Sequence, residues 1–352
     1  MKEIMEKIIE NGYEAYVVGG YVRDYLLGIE SKDVDICTNA PINEIIKMFK
    51  NQGTAYPQYY AFHLEKDGIN YDITSYRKEL SYKRNKPIEI VPAEDLATDL
   101  LRRDFTINTF AIDSKGMLID IYGAKKDLDS RIIRVVGDTE KKFKEDKTRI
   151  IRAIRFACTL DFDLDPKIIE FLSTKHVYLL NEISPEFKKK ELDKIFDSAN
   201  AFKFLYLIKR YNMWKYFNIE ETSNIIQTYN RYGVWAQINA NLTFTKEEKR
   251  IIESIRKLVA KGDIDILDFA QYDEDIIYNA ASILGIEGKV RQILDILSIH
   301  SNLIELDISV GAMLNYVAID DFKRVYKSVE RNIMEGKLEN SKEAIIDYLK
   351  CL

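Results

Sequence analysis

Asp33 and Asp35, two residues apart in Asp33-Val34-Asp35, have the type and spacing to do chemistry. On a strand such residues point to one face, so both carboxylates project together while Val34 and Ile36 turn toward a core. Two like charges that close are costly unless a cation lies between them. Neither histidine nor thiolate accompanies them, and hard oxygen donors alone favour Mg²⁺. In Ile69-Asn70-Tyr71-Asp72-Ile73 the three apolar residues share one face and Asp72 leaves from the other. A third carboxylate on a neighbouring strand would complete a two-metal site for in-line phosphoryl or nucleotidyl transfer. Upstream, Gly19-Gly20 closes a strand and opens a helix, where bare backbone N–H groups and the helix dipole suit a phosphate. A lone Asp-x-Asp is more often a polar turn; the conjunction of these features points to chemistry.

Two arginine-rich segments follow. In Leu101-Arg102-Arg103-Asp104-Phe105-Thr106-Ile107-Asn108, a solvated charge cluster and a nucleotide site are equal readings. In the second, one arginine grips a triphosphate and Asp104 accepts from a ribose hydroxyl. In Glu145-Asp146-Lys147-Thr148-Arg149, continued by Arg152 and Arg155, a helix would make Asp146 and Arg149 i,i+3 neighbours. The two later arginines would extend that charged stripe. Phe143, Ile150, Ile154 and Ala157 form the apolar stripe. A salt-bridged exposed face is the ordinary outcome of such a pattern. A carboxylate beside a guanidinium has another use. It can accept from the exocyclic amine of cytosine or adenine while the guanidinium donates to the ring nitrogen. Uracil and guanine would meet mismatched partners and be refused.

The elements that must position these groups change character along the chain. Residues 1–12 read as a short helix ended by Gly12, and Ala15–Val18 as a strand into Gly19. Val34–Cys37 reads as a strand, and Ile42–Phe49 as a helix started by Pro41. Two further strands flank Asp67-Gly68, a hairpin signature. From about Phe143 helical periodicity dominates to the C-terminus, and the junction reads as a continuous helix. The expectation is an α+β chain: a mixed-sheet head with helices, then an all-helical remainder. The 352 residues suffice for two or three packed units, and 46% hydrophobic with 31% charged residues is a globular composition. Fifty-two basic against 57 acidic side chains give a net charge of −5, which excludes a uniformly basic nucleic-acid coat but not a local basic groove. Three scattered cysteines exclude a disulfide framework or zinc ribbon, and three histidines (His63, His176, His300) show no metal-pair spacing. Any metal chemistry must run on carboxylates. No apolar run reaches the roughly 18 residues of a membrane span, and the N-terminus has no signal-peptide core. The expected setting is the reducing cytoplasm.

Gly19-Gly20-Tyr21-Val22-Arg23-Asp24-Tyr25-Leu26-Leu27-Gly28 followed by Asp33-Val34-Asp35 resembles the signature of class II CCA tRNA nucleotidyltransferases and bacterial poly(A) polymerases. Arg102–Asn108 is similar to that family's RRDFT-x-N motif, and Glu145–Arg149 to its EDxxR motif. The resemblance implies a nucleotidyltransferase head over residues 1–138, a neck with the nucleobase-recognition motif over 139–200, and a helical body and tail over 201–352 that bind tRNA. It implies template-independent addition of the 3′-terminal CCA from CTP and ATP. Asp33 and Asp35 would hold Mg²⁺, with Asp72 helping to activate the tRNA 3′-hydroxyl. Gly19, Gly20 and Arg23 would position the triphosphate. Arg102, Arg103, Asp104 and Asn108 would bind the nucleotide, with Asp104 selecting ribose. Asp146 and Arg149 would read the base, with Arg152 and Arg155 beside them. Asp120-Ile121-Tyr122-Gly123 resembles a stretch that flexes between head and neck, and a plain turn fits equally well. The stretch between Arg77 and Arg102 has the length of the family's flexible loop, which favours CCA or A addition over CC addition. Its Tyr82-Lys83-Arg84-Asn85-Lys86-Pro87 departs from the usual loop patterns. Poly(A) polymerase is disfavoured by the intact EDxxR segment, and no histidine is followed by the aspartate of a His-Asp phosphohydrolase. The other class of reading, a non-catalytic RNA-binding protein on a degenerate head, is opposed by the intact Asp33, Asp35 and Asp72. Lys188, Lys189 and Lys190, with Lys203, Lys209, Arg210 and Lys215, are the candidate RNA strip.

Overall fold

The computed structural model describes residues 1–222, 224–265, 268–298 and 306–352; His300 lies outside them. The chain divides into two compact units, residues 1–195 with 203–218 and residues 196–202 with 219–352.

The first unit begins with α1 (Lys2–Glu10), β1 (Tyr16–Val18), α2 (Gly20–Leu26), β2 (Asp33–Thr38) and α3 (Ile42–Met48). Strands β3 (Gly53–Tyr56), β4 (Ala61–Lys66) and β5 (Ile69–Ser75) follow, then a hairpin of β6 (Arg77–Lys83) and β7 (Lys86–Pro92), and α4 (Leu96–Leu101). Strands β8 (Ala111–Ile112) and β9 (Leu118–Ile119) complete a seven-stranded mixed sheet ordered β3-β4-β5-β2-β1-β8-β9. The pairing of β2 with β5 is parallel and its other ladders are antiparallel. Period two decides β2. Val34 and Ile36 are buried on one face while Asp33 and Asp35 leave from the other. Beyond the carboxylates that second face closes too, because Cys37 packs with Val18, Tyr76, Leu96 and Leu100. The sheet is thus covered at one end of β2 and open at the carboxylate end. The β4–β5 turn is the Asp67-Gly68 pair, both left-handed.

The segment 77–92 is not a loop, as its sequence suggested, but the β6–β7 hairpin, turned at Arg84 and Asn85 with both φ positive. After α5 (Ala124–Asp129) and β10 (Ile132–Ile133) come α6 (Thr139–Glu145) and α7 (Thr148–Thr159). The expected continuous helix is therefore broken at Asp146, which is extended (φ −134°, ψ 100°). Its carboxylate accepts from the Thr148 N–H at 2.9 Å and so starts α7 afresh. The expected apolar stripe holds: Phe143, Ile150, Ile154 and Ala157 are all fully buried. A short strand, β11 (Asp163–Leu164), pairs with β10 inside the region read as all-helical. Helices α8 (Pro166–Ser173), α9 (Pro185–Phe196) and α10 (Ala201–Arg210) follow.

The described part of the second unit is helical: α11 (Arg231–Ala236), α12 (Lys246–Lys261), α13 (Glu274–Leu284), α14 (Glu287–Ser298), α15 (Val310–Met313), α16 (Ile319–Met334) and α17 (Lys342–Lys350). A Thr245–Glu248 capping box starts α12 and left-handed Gly262 ends it. Two apolar clusters hold the unit together. One contains Ile255, Leu258, Ile277 and Val290, the other Phe322, Val329, Ile345 and Leu349. Among the described residues no helix is long and apolar enough to cross a membrane.

Candidate active site

Strand register assembles the carboxylates. Asp35 lies opposite Asp72 across the parallel β2–β5 ladder, and Asp33 opposite Asn70. The Asn70 amide donates to Asp33 Oδ1 at 3.0 Å. Gly19, which joins β1 to α2, faces this group at φ 80°, ψ −144°. A Cβ there would lie 2.5 Å from Asp35 Oδ2 and 2.6 Å from Arg103 Nη1. Glycine is required both by the dihedral and by the close approach. The Gly19 N–H donates to Phe110 C=O at 3.4 Å. Burial above all raises the Asp35 pKa, and the Asp72 and Asp33 charges add to it against Arg103 and Arg102. A half-buried carboxylate among like charges is a place where a cation is favourable. Among the described residues no three His, Cys, Asp or Glu side chains form a ready-made metal cage. Two carboxylates that leave further positions to water or phosphate oxygens suit a hard divalent ion better than a closed cage would. The donor set fits.

Behind the carboxylates runs a polar chain, buried at Arg23 and Asn108 and half-buried at Asp104 and Arg152. Arg23 donates to Asp24 and, through Nη1, to Asn108 Oδ1 at 2.6 Å. Asn108 Nδ2 donates to Asp104 Oδ1 at 2.9 Å, which also accepts from the Phe105 N–H at 2.8 Å. Asp104 Oδ2 receives Nε and Nη2 of Arg152 at 2.9 and 2.5 Å. Burial alone would raise the Asp104 carboxyl, but the Arg152 charge and these hydrogen bonds outweigh it and hold it far below the usual carboxylate range. Both oxygens of Asp104 are filled, so a ribose hydroxyl would have to displace Arg152 or approach through it. Phe156, to which the sequence assigned no role, is the hub: the guanidiniums of Arg23, Arg152 and Arg155 lie 4.8, 5.6 and 3.7 Å from its ring centre. Arg155 is further anchored by buried Glu191 at 2.6 Å. The only sequence signal for this hub is the adjacency Arg155-Phe156.

The two adjacent arginines diverge. Arg103 reaches toward Gly19 and Asp35, and its buried Nε has no hydrogen-bond partner among the described residues. Arg102 turns to fully buried Asp99 (3.0 Å) and to Glu79 (3.6 Å). Arg149, 5% exposed, is not on a solvated stripe. It donates to Lys142 C=O (3.2 Å), Arg102 C=O (3.2 Å) and the Tyr82 hydroxyl (3.1 Å), and lies over the Tyr82 ring. Asp146 stands 3.9 Å from the Arg149 Nε, as a residue before the helix rather than within it. Beside this pair is a groove of about 310 Å³ lined by Glu79, Tyr82, Arg102, Lys142 and Glu145. Asn85, at the hairpin turn, bonds the Lys147 N–H and Glu182 C=O. Asp120 caps α5 through the Ala124 and Lys125 N–H groups, with Gly123 left-handed between them, as a plain turn requires.

The seven-residue basic strip does not exist as a surface. Lys188 and Lys189 are buried, donating to Asn218 and Asp193, and Lys203 pairs with Asp161. α9 turns its first two lysines inward, leaving Lys190, Lys209, Arg210 and Lys215 exposed.

Residues 15–134 match the family described as "Poly A polymerase head domain". The CCA-adding enzyme of Staphylococcus aureus (strain Mu3 / ATCC 700698) is 30% identical over 387 residues, covering 99% of this chain and 96% of its own. That of Streptococcus thermophilus (strain CNRZ 1066) is 28% identical, with the same coverage. Among solved structures, the Bacillus stearothermophilus CCA-adding enzyme in complex with CTP is similar in fold (TM-score 0.70, 24% identity, 99% of this chain and 95% of that one). The Thermotoga maritima CCA-adding enzyme complexed with tRNA-CCA is similar as well (TM-score 0.61, 21% identity, 99% and 94%).

Proposed function

Because this chain belongs to the family of CCA-adding enzymes, we propose that it adds the 3′-terminal CCA to tRNA, taking CTP and ATP and using no nucleic-acid template. The observation that carries the reading to the chemistry is the register that sets Asp33, Asp35 and Asp72 on one sheet face opposite Gly19. The reaction joins the tRNA 3′-oxygen to the α-phosphorus of the nucleotide and breaks the bond to pyrophosphate. Asp33 and Asp35 would hold Mg²⁺, which when bound supplies charge neutralisation at the transferring phosphoryl group. Asp72 takes the proton of the 3′-hydroxyl. Gly19, with no Cβ, lets the triphosphate approach the backbone, Gly20 offers its backbone N–H at the start of α2, and Arg103 faces the negative charge. Arg23, Asn108, Asp104 and Arg152 act as one braced unit beneath the ribose, with Arg155 fixed behind them. Asp146 and Arg149 face the base edge, and Arg102 walls the adjoining groove.

In this reading residues 1–138 are the catalytic head, 139–200 the neck, and 201–352 the body and tail that meet tRNA. The complete β6–β7 hairpin supports CCA or A addition over CC addition alone. The cytoplasm is the proposed setting, in keeping with cysteines that form no disulfide among the described residues. Asp33→Ala and Asp35→Ala test the chemistry. Each should abolish incorporation of both nucleotides while tRNA binding survives; incorporation within tenfold of wild type in either variant would overturn the assignment.

A further inference from the structure

His63 has no part in the chemistry described so far, yet its strand brings it to the same face. In β4 the neighbouring Phe62 and Leu64 are each 3% exposed and point into the core, so His63 leaves on the opposite side. The antiparallel β4–β5 register sets it opposite Asp72, and the parallel β5–β2 register sets Asp72 opposite Asp35. One cross-strand row therefore runs His63–Asp72–Asp35, and the next runs Glu65–Asn70–Asp33. His63 Nδ1 lies 2.9 Å from Asp72 Oδ1. An ionised carboxylate only accepts, so Nδ1 carries the proton in this pair. Among the described residues the Asp72 carboxylate has no other hydrogen-bond partner, which leaves its orientation to this one bond. The adjacent row repeats the device: Asn70, a neutral donor on the neighbouring strand, fixes Asp33 through one oxygen.

We propose that His63 is a positioning residue for nucleotidyl transfer, its Nδ1–H holding Asp72 Oδ1 so that Oδ2 stays directed to the tRNA 3′-hydroxyl. This rests on the reading of Asp72 as the group that takes the 3′-hydroxyl proton. In the step, that proton moves to Asp72 Oδ2, the 3′-oxygen bonds the α-phosphorus, and pyrophosphate leaves with its electron pair. His63 keeps its own proton throughout. A mere cross-strand pair at side-chain exposures of 40% and 58% would affect folding alone.

The test uses the full chain with Mg²⁺, CTP, ATP and a tRNA ending before CCA. It compares His63→Ala, His63→Asn, Asp72→Ala and the double alanine variant. A loosened catalytic group should lower kcat by roughly tenfold or more in His63→Ala, for both nucleotides. KM values and Tm should not move. His63→Asn, whose Nδ2 donates from nearly the place of Nδ1, should recover most of the loss. The double variant should be no slower than Asp72→Ala, because residues that act as a unit are not additive. Ring ¹⁵N spectra should show an Nδ1–H preference that Asp72→Ala abolishes. Wild-type kcat in His63→Ala, failure of the Asn variant to recover, or full additivity would each overturn the proposal. Asp72→Ala at the wild-type rate would strike the reading of Asp72 itself, whereas a slow Asp72→Ala beside a fast His63→Ala would strike His63 alone.

Discussion

Replacing Gly19 by alanine probes the closest approach in the site. The backbone there (φ 80°, ψ −144°) belongs to a region that side chains avoid, and holding a non-glycine residue in it costs on the order of 1–3 kcal/mol. The added Cβ would meet Asp35 Oδ2 at 2.5 Å, whereas ordinary contact begins at 3.4 Å, so the carboxylate must retreat by roughly 0.9 Å. Arg103 Nη1, at 2.6 Å, must move as well. A displacement of about 1 Å in a reacting geometry can cost on the order of 100-fold in rate. Gly19→Ala should therefore slow single-turnover CTP incorporation by roughly that factor, with a stability loss of a few kcal/mol at most in urea unfolding. Gly20→Ala is the control. Its Cβ would meet only the Arg23 guanidinium at 3.5 Å, in a helical backbone, so it should cost less than about tenfold in rate. A Gly19→Ala enzyme within threefold of wild type, or a Gly20→Ala enzyme equally damaged, would refute the reasoning.

Asp146→Ala should slow CTP and ATP incorporation and admit UTP or GTP, since a lost bidentate base contact is worth roughly 1–3 kcal/mol of discrimination. Competition among four nucleotides on one tRNA reads this, and unchanged preference in both Asp146→Ala and Arg149→Ala would remove its support. The Lys142 ammonium is depressed to about 8 by burial first and by the Arg149 charge beside it. The folded state then binds fewer protons than the unfolded chain between about pH 8 and about 10.4, so stability should rise with pH across that window. Urea unfolding should show that rise flattened, and stability at pH 7 increased, in Lys142→Met; a slope retained in the variant contradicts the assignment. Lys209, Arg210 and Lys215, exposed near one another in sequence, should set part of the salt dependence of tRNA binding. Their triple alanine variant should shallow the slope by up to about 0.9 per lost phosphate contact, and an unchanged slope would move the RNA path elsewhere.

The carboxylate face was legible because a period of two is a local property: Val34 and Ile36 had to go inward, so Asp33 and Asp35 came out together. The Asp67-Gly68 turn was legible for the same reason, its residue types fixing the hairpin. The β6–β7 hairpin was not. Pro87 and Pro92, a bulge beside Ser81 and the exposed Leu80 and Ile88 spoil the alternation that marks a strand. The break at Asp146 was hidden because Lys147-Thr148-Arg149 continues a helical pattern while the Asp146 side chain competes for the backbone. The filling of Asp104 depends on Arg152, 48 residues away, and the anchoring of Arg155 on Glu191, 36 residues away. No local spacing encodes either. The lysine run of α9 carries charge on every side, so only packing decides that Lys188 and Lys189 turn inward.

Three tRNA substrates, ending before CCA, after C and after CC, test the central claim most directly when incubated with the protein, Mg²⁺, CTP and ATP. All three should be completed to the same CCA terminus and extended no further, and Asp33→Ala should extend none. Completion of only the substrate ending in CC, arrest after CC, a growing tail of A, or no extension at all would contradict the account.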